Sequence, residues 1–322
     1  MNKITLSVNG NENIRLDKFL SNHISNLSRT QIKQIILDGF VQVNETLVKP
    51  SSILEGSDII TYSIPQQESV EDKLEPEDLN LNILYEDDHI VAINKPSGLL
   101  VHPGAGQSNG TLANGLRYYF NKLSDYNGLK RPGIVHRLDK DTSGVILIAK
   151  DNSTHSALAT QFEKREIMKE YFGITWGNWS QEEGEIIDNI KRKRTDPTSY
   201  QINKNGREAI TFFKVIKSGV YTSEVIFYPK TGRTHQIRVH SASKNCPIFG
   251  DTKYGGGENK TKGFTPEISK IFIRSIKFFK RHALHAKKIT FFHPVLKEDF
   301  SIKAPIPSDI LLLQNHLKTI NE

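Results

Sequence analysis

The sequence predicts an α+β protein whose larger part is a mixed, largely antiparallel sheet, preceded by a small α/β module. Three observations carry that expectation. Beyond about residue 81, many strand-like runs follow one another with few helical stretches between them, which disfavours a doubly wound sheet. Residues 14–64 hold two short helical patterns followed by strand patterns. Between these parts, PQQESVEDKLEP is acidic and aperiodic, too poor in apolar surface to order itself. The expected division is a module at 1–65, an acidic linker at 66–80 and a large domain at 81–322.

In the small module Leu16, Phe19, Leu20 and Ile24 recur at helical spacing. Ser28 is the expected N-cap of a second helix, with Ile32, Ile35 and Ile36 on its apolar side and Gly39 at its end. Strands are expected at 40–44 and 58–62. Arg15, Lys18, Arg29 and Lys33 fall on the polar faces, where taken alone they are ordinary solubilising charge.

In the large domain, strands are expected at 82–85 and 89–94 around an Asp87-Asp88 turn. Pro96, Gly98, Pro103, Gly104 and Gly106 break the next segment into loops. Thr111 is placed to cap a helix running to about Asn121, its buried side Leu112, Leu116, Tyr119 and Phe120. A second helix is expected from 151 to 166, and strands at 145–149, 170–176, 209–213 and 224–228. The basic run KRKR at 191–194 reads as a loop, and 255–275 as a surface insertion.

Composition bounds the function. A chain of 322 residues exceeds most single domains, and 37% hydrophobic with 25% charged residues describes a globular protein. No apolar run reaches the ~20 residues of a membrane helix, and the first residues lack the apolar core of a secretory signal. The single cysteine, Cys246, forms no internal disulfide, which fits a reducing, cytoplasmic compartment. Forty-three Lys and Arg against 36 Asp and Glu, a net charge of +7, suit a polyanionic partner without requiring one.

Chemistry concentrates in HRLDKDTSG, residues 136–144, which runs into the apolar strand VILIA. Polar loops fixed on a rigid scaffold are where catalytic groups tend to sit. Asp141, Thr142 and Ser143 read as turn builders, because their side chains bond nearby backbone amides. Asp139 lies outside those turn residues, with His136 and Arg137 just before it. GRTHQIRVH at 232–240 reads as an amphipathic helix start with Ile237 buried. His235 and His240 are five residues apart, on different helix faces, unlike the i, i+4 pair of zinc enzymes. Tyr171 reads as a strand tyrosine with one satisfied hydroxyl, and ALHA at 283–286 as a strand start.

HRLDKDTSG also resembles the second motif of the RluA/RluD family of pseudouridine synthases. NKPSGLLVHP at 94–103 is similar to that family's first motif, KEY at 169–171 to its K-x-Y, GRTHQIRVH to its arginine motif and RHALHA at 281–286 to its last. Gly173 stands where the family usually has alanine. The pattern RLDKFL…LSRTQIKQIILDGFVQVN…VKPSSILEGSDII resembles the small RNA-binding domain named after ribosomal protein S4. Five matches in order imply a pseudouridine synthase fold and isomerisation of uridine in large-subunit ribosomal RNA, with no metal or cofactor; a monomer is expected. They imply Asp139 as catalytic carboxylate, Arg233 as its counterion, and Tyr171 as stacking and proton-transfer group. Arg137 would fill the space of the flipped base, with His136 beside it and Leu284 as an apolar wall. Arg15, Lys18, Arg29 and Lys33 would contact phosphates.

Asp139 serves either by attacking or stabilising the anomeric carbon, as in a retaining glycosidase, or by removing a ribose proton; the sequence leaves both open. Three other readings stay in view: the same reaction on transfer RNA or another RNA, a noncatalytic RNA-binding assembly chaperone, and a metal-dependent nuclease using Asp139 and Asp141.

Overall fold

The computed structural model describes residues 3–8, 10, 13–24, 27, 29–64, 74–104 and 107–321. In the small domain four strands pair antiparallel in the order β1 (Ile4–Ser7), β4 (Ile59–Tyr62), β2 (Val41–Val43) and β3 (Thr46–Leu47). Helices α1 (Leu16–His23) and α2 (Arg29–Leu37) bury Leu16, Phe19, Leu20, Ile32 and Ile36 in one core with Val41, Leu54 and Ile60. The apolar stripes expected from helical spacing are the ones buried. Gly39, at φ +80°, ends α2 in the left-handed conformation that glycine adopts without steric cost. Ser28, expected as the cap of α2, lies outside the described residues, as does Gly106.

Of the expected linker, residues 65–73 lie outside the described residues. From Leu74 onward the chain already belongs to the large domain. Leu74 is buried in its core. Asn114 Nδ2 donates to the Glu75 carbonyl at 2.8 Å, and the Glu77 carboxylate accepts from Gly110 N–H at 2.9 Å. The Glu75 backbone carbonyl and the Glu77 carboxylate thus serve as acceptors for a neighbouring helix start, and the domain begins about seven residues earlier than expected.

The large sheet has ten strands. Its path is β10 (Tyr200–Ile202), β9 (Glu183–Arg192), β11 (Arg207–Ser218), β12 (Thr222–Pro229), β8 (Met168–Trp176), β13 (Leu284–Phe292), β7 (Ser143–Ala149), β6 (Ile90–Lys95) and β5 (Ile83–Glu86), with β14 (Asp299–Lys303) paired to β13. Among the described residues only β7 and β13 run parallel. The mixed, largely antiparallel sheet is the one expected.

Helices α3 (Leu112–Tyr119), α4 (Asn152–Glu163), α5 (Gln236–Ser243), α6 (Pro266–Phe279) and α7 (Ser308–Asn321) complete the domain. Asp151 caps α4, its side chain accepting from Thr154 N–H. Three expectations are corrected. Lys191 and Arg192 belong to β9, paired with Gln201 and Tyr200, rather than to a loop. The supposed insertion at 255–275 contains most of α6, whose Phe272, Ile276 and Phe279 are core residues. Tyr119 is 38% exposed, its hydroxyl donating to Asp78 instead of packing inward.

Strand β7 is buried along its whole length, which explains its unbroken apolar run. Its first residues meet β13 at Ser143/His285 and Gly144/Ala286. Gly144 sits at φ +116°, and a Cβ there would overlap the Ala286 carbonyl oxygen. This close parallel contact lies directly after the loop that carries Asp139.

Candidate active site

The loop before β7 is held from several sides by its backbone. Thr142 N–H donates to Asp139 O at 3.1 Å, making the expected turn. The fully buried Lys95, at the end of β6, donates from Nζ to the carbonyls of Pro96, Leu99 and Lys140 at 2.8–2.9 Å. Burial pushes its ammonium down to about 7 against the attraction of Asp141 and Asp139. Three carbonyl acceptors nonetheless call for all three protons of the charged form. Gly98 N–H also donates to Lys140 O at 3.0 Å, and Ser97 Oγ to Asp141 O at 3.1 Å. From the opposite side Arg281 Nη1 donates to Asp141 O at 3.2 Å while its fork grips Asp309 on α7.

The hydroxyls read as turn builders point elsewhere. Thr142 Oγ1 lies 2.8 Å from His282 Nε2, and Ser143 Oγ 2.9 Å from His285 Nδ1. Both imidazoles are pushed well below the ordinary histidine value, chiefly by burial. His136, expected beside the substrate, accepts from Leu147 N–H through Nε2 at 2.9 Å and packs on Phe162. Burial takes its pKa down to about 3, so it is a neutral loop anchor that also borders the cleft.

Asp139 itself remains partly open, its side chain 19% exposed. The counterion expected for it is corrected. Arg233 Nε donates to the Glu208 carbonyl at 3.0 Å, ahead of α5. Arg238, in the first turn of α5, reaches Asp139 Oδ2 through Nη1 at 3.1 Å. The two arginines of GRTHQIR are five residues apart and leave the chain on different sides. Arg238 is also gripped by Asp251, Nε to Oδ2 at 2.7 Å and Nη2 to Oδ1 at 2.9 Å, and its guanidinium lies over the Tyr254 ring at 5.0 Å. Burial works against the charge, but the hydrogen bonds and charge of Asp251, then Asp139, raise its pKa further above an already high value. The segment FGDTKYG, which carries Asp251 and Tyr254, received no role from sequence. An acid and a tyrosine between glycines beside a basic helix start were its only signal.

Asp139 faces an open cleft of about 560 Å³ that Arg137, Lys169, Tyr171, Leu284 and the 229–238 segment also line, a size suited to a small ligand. The expected residues Asp139, Arg137, Tyr171 and Leu284 are thus brought together, with Arg233 on the same rim. Arg137 is exposed and makes no ion pair among the described residues. Tyr171 sits in β8; burial and then the Asp139 charge raise its phenol above the ordinary value. Leu284 opens β13 opposite Gly173, 3% exposed. Lys169, two residues before Tyr171, is brought down to about 8, by burial first and then by Lys230.

In the small domain Arg15, Arg29 and Lys33 converge on the buried carboxylate of Asp17, at 3.0, 3.3 and 3.8 Å. Lys18 is exposed on the same helix. Arg15's hydrogen bonds foremost hold Asp17 below the ordinary carboxylate range.

Residues 89–243 match the family described as RNA pseudouridylate synthase, and residues 14–60 match the S4 domain. An RNA pseudouridine synthase of Bacillus subtilis, YlyB, is 36% identical over 319 residues, 99% of each chain. The ribosomal large subunit pseudouridine synthase D of Vibrio cholerae is 37% identical over 299 residues, 92% of this chain and 89% of that one. Its Escherichia coli K12 counterpart is 36% identical over 313 residues, 97% and 93%. The solved structure of human RNA Pseudouridylate Synthase Domain Containing 4 superimposes with a TM-score of 0.56 at 25% identity, covering 74% of this chain and 93% of that one.

Proposed function

This chain belongs to the RNA pseudouridylate synthase family and isomerises uridine to pseudouridine, and we propose that it does so in large-subunit ribosomal RNA with Asp139 as the essential carboxylate. The target reading rests on the full-length similarity to the synthase D proteins, whose names specify the ribosomal large subunit. The S4 domain supplies an RNA-binding module, and among the described residues no helix is long and apolar enough to cross a membrane. We infer a monomer acting in a reducing, cytoplasmic compartment, which the single Cys246 fits.

One observation carries the mechanism: Asp139 meets the cleft with Oδ2 tied to a buried guanidinium. An ionised carboxylate in such a place needs a nearby cation to offset its desolvation. Arg238 provides it, and the tie at Oδ2 leaves Oδ1 to act on the ribose. Either route, attack on C1′ or removal of a ribose proton, begins from this oxygen. Leu284 would bound the uracil as an apolar wall. Tyr171 would stack on it; with its phenol held protonated, the ring and hydroxyl donor matter more than any action as a free base. Arg137, planar and exposed at the rim, suits filling the gap left in the RNA stack.

Deleting the gene and mapping pseudouridine across total RNA tests this reading. Sites lost in large-subunit ribosomal RNA and restored by wild type, but not by Asp139→Ala, are expected. Loss only in transfer RNA would move the substrate, and rescue by Asp139→Ala would remove Asp139 from the mechanism.

A further inference from the structure

His235 lies against the catalytic carboxylate in a conformation few bulky residues adopt. It precedes α5 at φ 57°, ψ 19°, in the left-handed region. Its Nε2 is 3.8 Å from Asp139 Oδ2, the oxygen that Arg238 holds. Its other nitrogen, Nδ1, is 2.7 Å from the hydroxyl of Tyr254. That hydroxyl in turn accepts from the backbone N–H of Tyr200 at 2.9 Å.

The protons in this chain of contacts can be assigned. The Tyr200 amide can only donate, so it cannot take the Tyr254 proton. Among the described residues His235 Nδ1 is the one acceptor within hydrogen-bond reach of the phenol, so the arrangement that satisfies the phenol proton makes Nδ1 its acceptor. Burial lowers the imidazole pKa against the pull of Asp139, and burial raises the Tyr254 phenol to about 12, so both groups are neutral near pH 7. A neutral imidazole that accepts at Nδ1 carries its hydrogen on Nε2, the nitrogen facing Asp139.

We propose that His235 is a positioning residue for Asp139, presenting an Nε2–H to Oδ2 beside Arg238, and that Tyr254 fixes it in that tautomer. Arg238 hydrogen-bonds Oδ2 and the Nε2–H faces the same oxygen at 3.8 Å, an electrostatic contact longer than a hydrogen bond, so that Oδ1 is the oxygen left to meet the ribose. The opposite tautomer would set an imidazole lone pair against the carboxylate and loosen that orientation. Tyr254 also lies under the Arg238 guanidinium, so one ring supports both donors. The inference rests on Asp139 being the reactive carboxylate, as proposed above.

Two measurements on the full-length protein test it. With 15N-labelled histidine, the ring nitrogen shifts of His235, assigned by their absence in His235→Gln, are expected to report the Nε2–H form. In Tyr254→Phe they should shift towards a mixture containing Nδ1–H. This readout needs no turnover, so it is independent of whether Asp139 performs the chemistry. In single-turnover assays with saturating enzyme, His235→Ala and Tyr254→Phe should each slow pseudouridine formation about 10- to 100-fold, with RNA affinity unchanged. His235→Gln, whose amide N–H replaces the donor, should recover most of the rate. A wild-type His235 in the Nδ1–H or charged form would overturn the proposal. So would Tyr254→Phe at the wild-type rate, or His235→Gln as slow as a folded His235→Ala. Thermal melting of each variant separates slow chemistry from misfolding.

Discussion

Asp139 in the large domain and Asp17 in the small one are both gathered among cations, yet they are built in opposite senses. Asp17 is fully buried, while the side chains of Arg15, Arg29 and Lys33 around it are 44–56% exposed. Asp139 is 19% exposed, while the Arg238 side chain that holds it is 8% exposed and is itself backed by a buried Asp251. In the first case a hidden carboxylate organises cations that face solvent, a surface fit for phosphates. In the second a hidden cation organises a carboxylate that faces a cleft, an arrangement fit for chemistry. Which partner is buried decides which one is available to the RNA.

Breaking the buried side of the Asp139 pair should have the largest effect. Arg238→Met leaves Asp251 buried without its partner, and loss of one member of a buried ion pair costs about 3–5 kcal/mol. Thermal melting should show that loss together with abolished activity. Arg238→Lys should not rescue, because a point charge cannot serve Asp139 and a bidentate Asp251 at once.

Next comes the strand junction that positions the loop. Gly144→Ala adds a methyl against the Ala286 carbonyl in a left-handed conformation. Strain and overpacking together should cost about 2–4 kcal/mol, measured by denaturant unfolding. The corresponding change on the exposed side of the comparison is milder. Arg29→Ala with Lys33→Ala should weaken RNA binding and reduce the slope of log affinity against log salt by up to about 2. Turnover of saturated complexes should stay at the wild-type level. Asp17, held below its unfolded value, contributes stability that is complete above about pH 4 and is lost as pH falls through its folded pKa. Asp17→Asn should remove that acid sensitivity, read by melting the protein across pH.

The smallest effect is expected at Gly173, where a Cβ would lie 3.0 Å from the Phe227 ring and 3.4 Å from Leu284. The ring edge and the leucine methyl need give only a few tenths of an ångström. Gly173→Ala should therefore change stability by less than about 1 kcal/mol and leave the rate within about threefold. A larger loss of rate would mean that Leu284 sets the pocket more tightly than a wall need do.

The sheet class, the apolar faces of α1 and α2, and the loop that borders the cleft are legible in the sequence, because each is encoded locally in periodicity or in a contiguous motif. The sequence misleads where a residue's role depends on a distant partner. Arg233 and Arg238 are equivalent in a linear motif, and only Asp251, thirteen positions beyond Arg238, selects between them. Thr142 and Ser143 resemble turn residues until β13 brings His282 and His285 beside them. Residues 74–80 look like linker because their acids are unpaired in sequence; the packing of Leu74 and the α3 start shows otherwise. α6 went unread because it follows a glycine-rich stretch, although its apolar face is well marked.

The most direct test sets Asp139→Asn beside Asp17→Asn on one ribosomal RNA substrate, measuring affinity and single-turnover pseudouridine formation at saturating enzyme. Asp139→Asn should bind as wild type does and lose more than about 1,000-fold in rate. Asp17→Asn should bind more weakly and, once saturated, turn over at nearly the wild-type rate. An active Asp139→Asn enzyme, or an Asp17→Asn enzyme that binds fully and fails in the chemistry, would contradict the division between the two carboxylates.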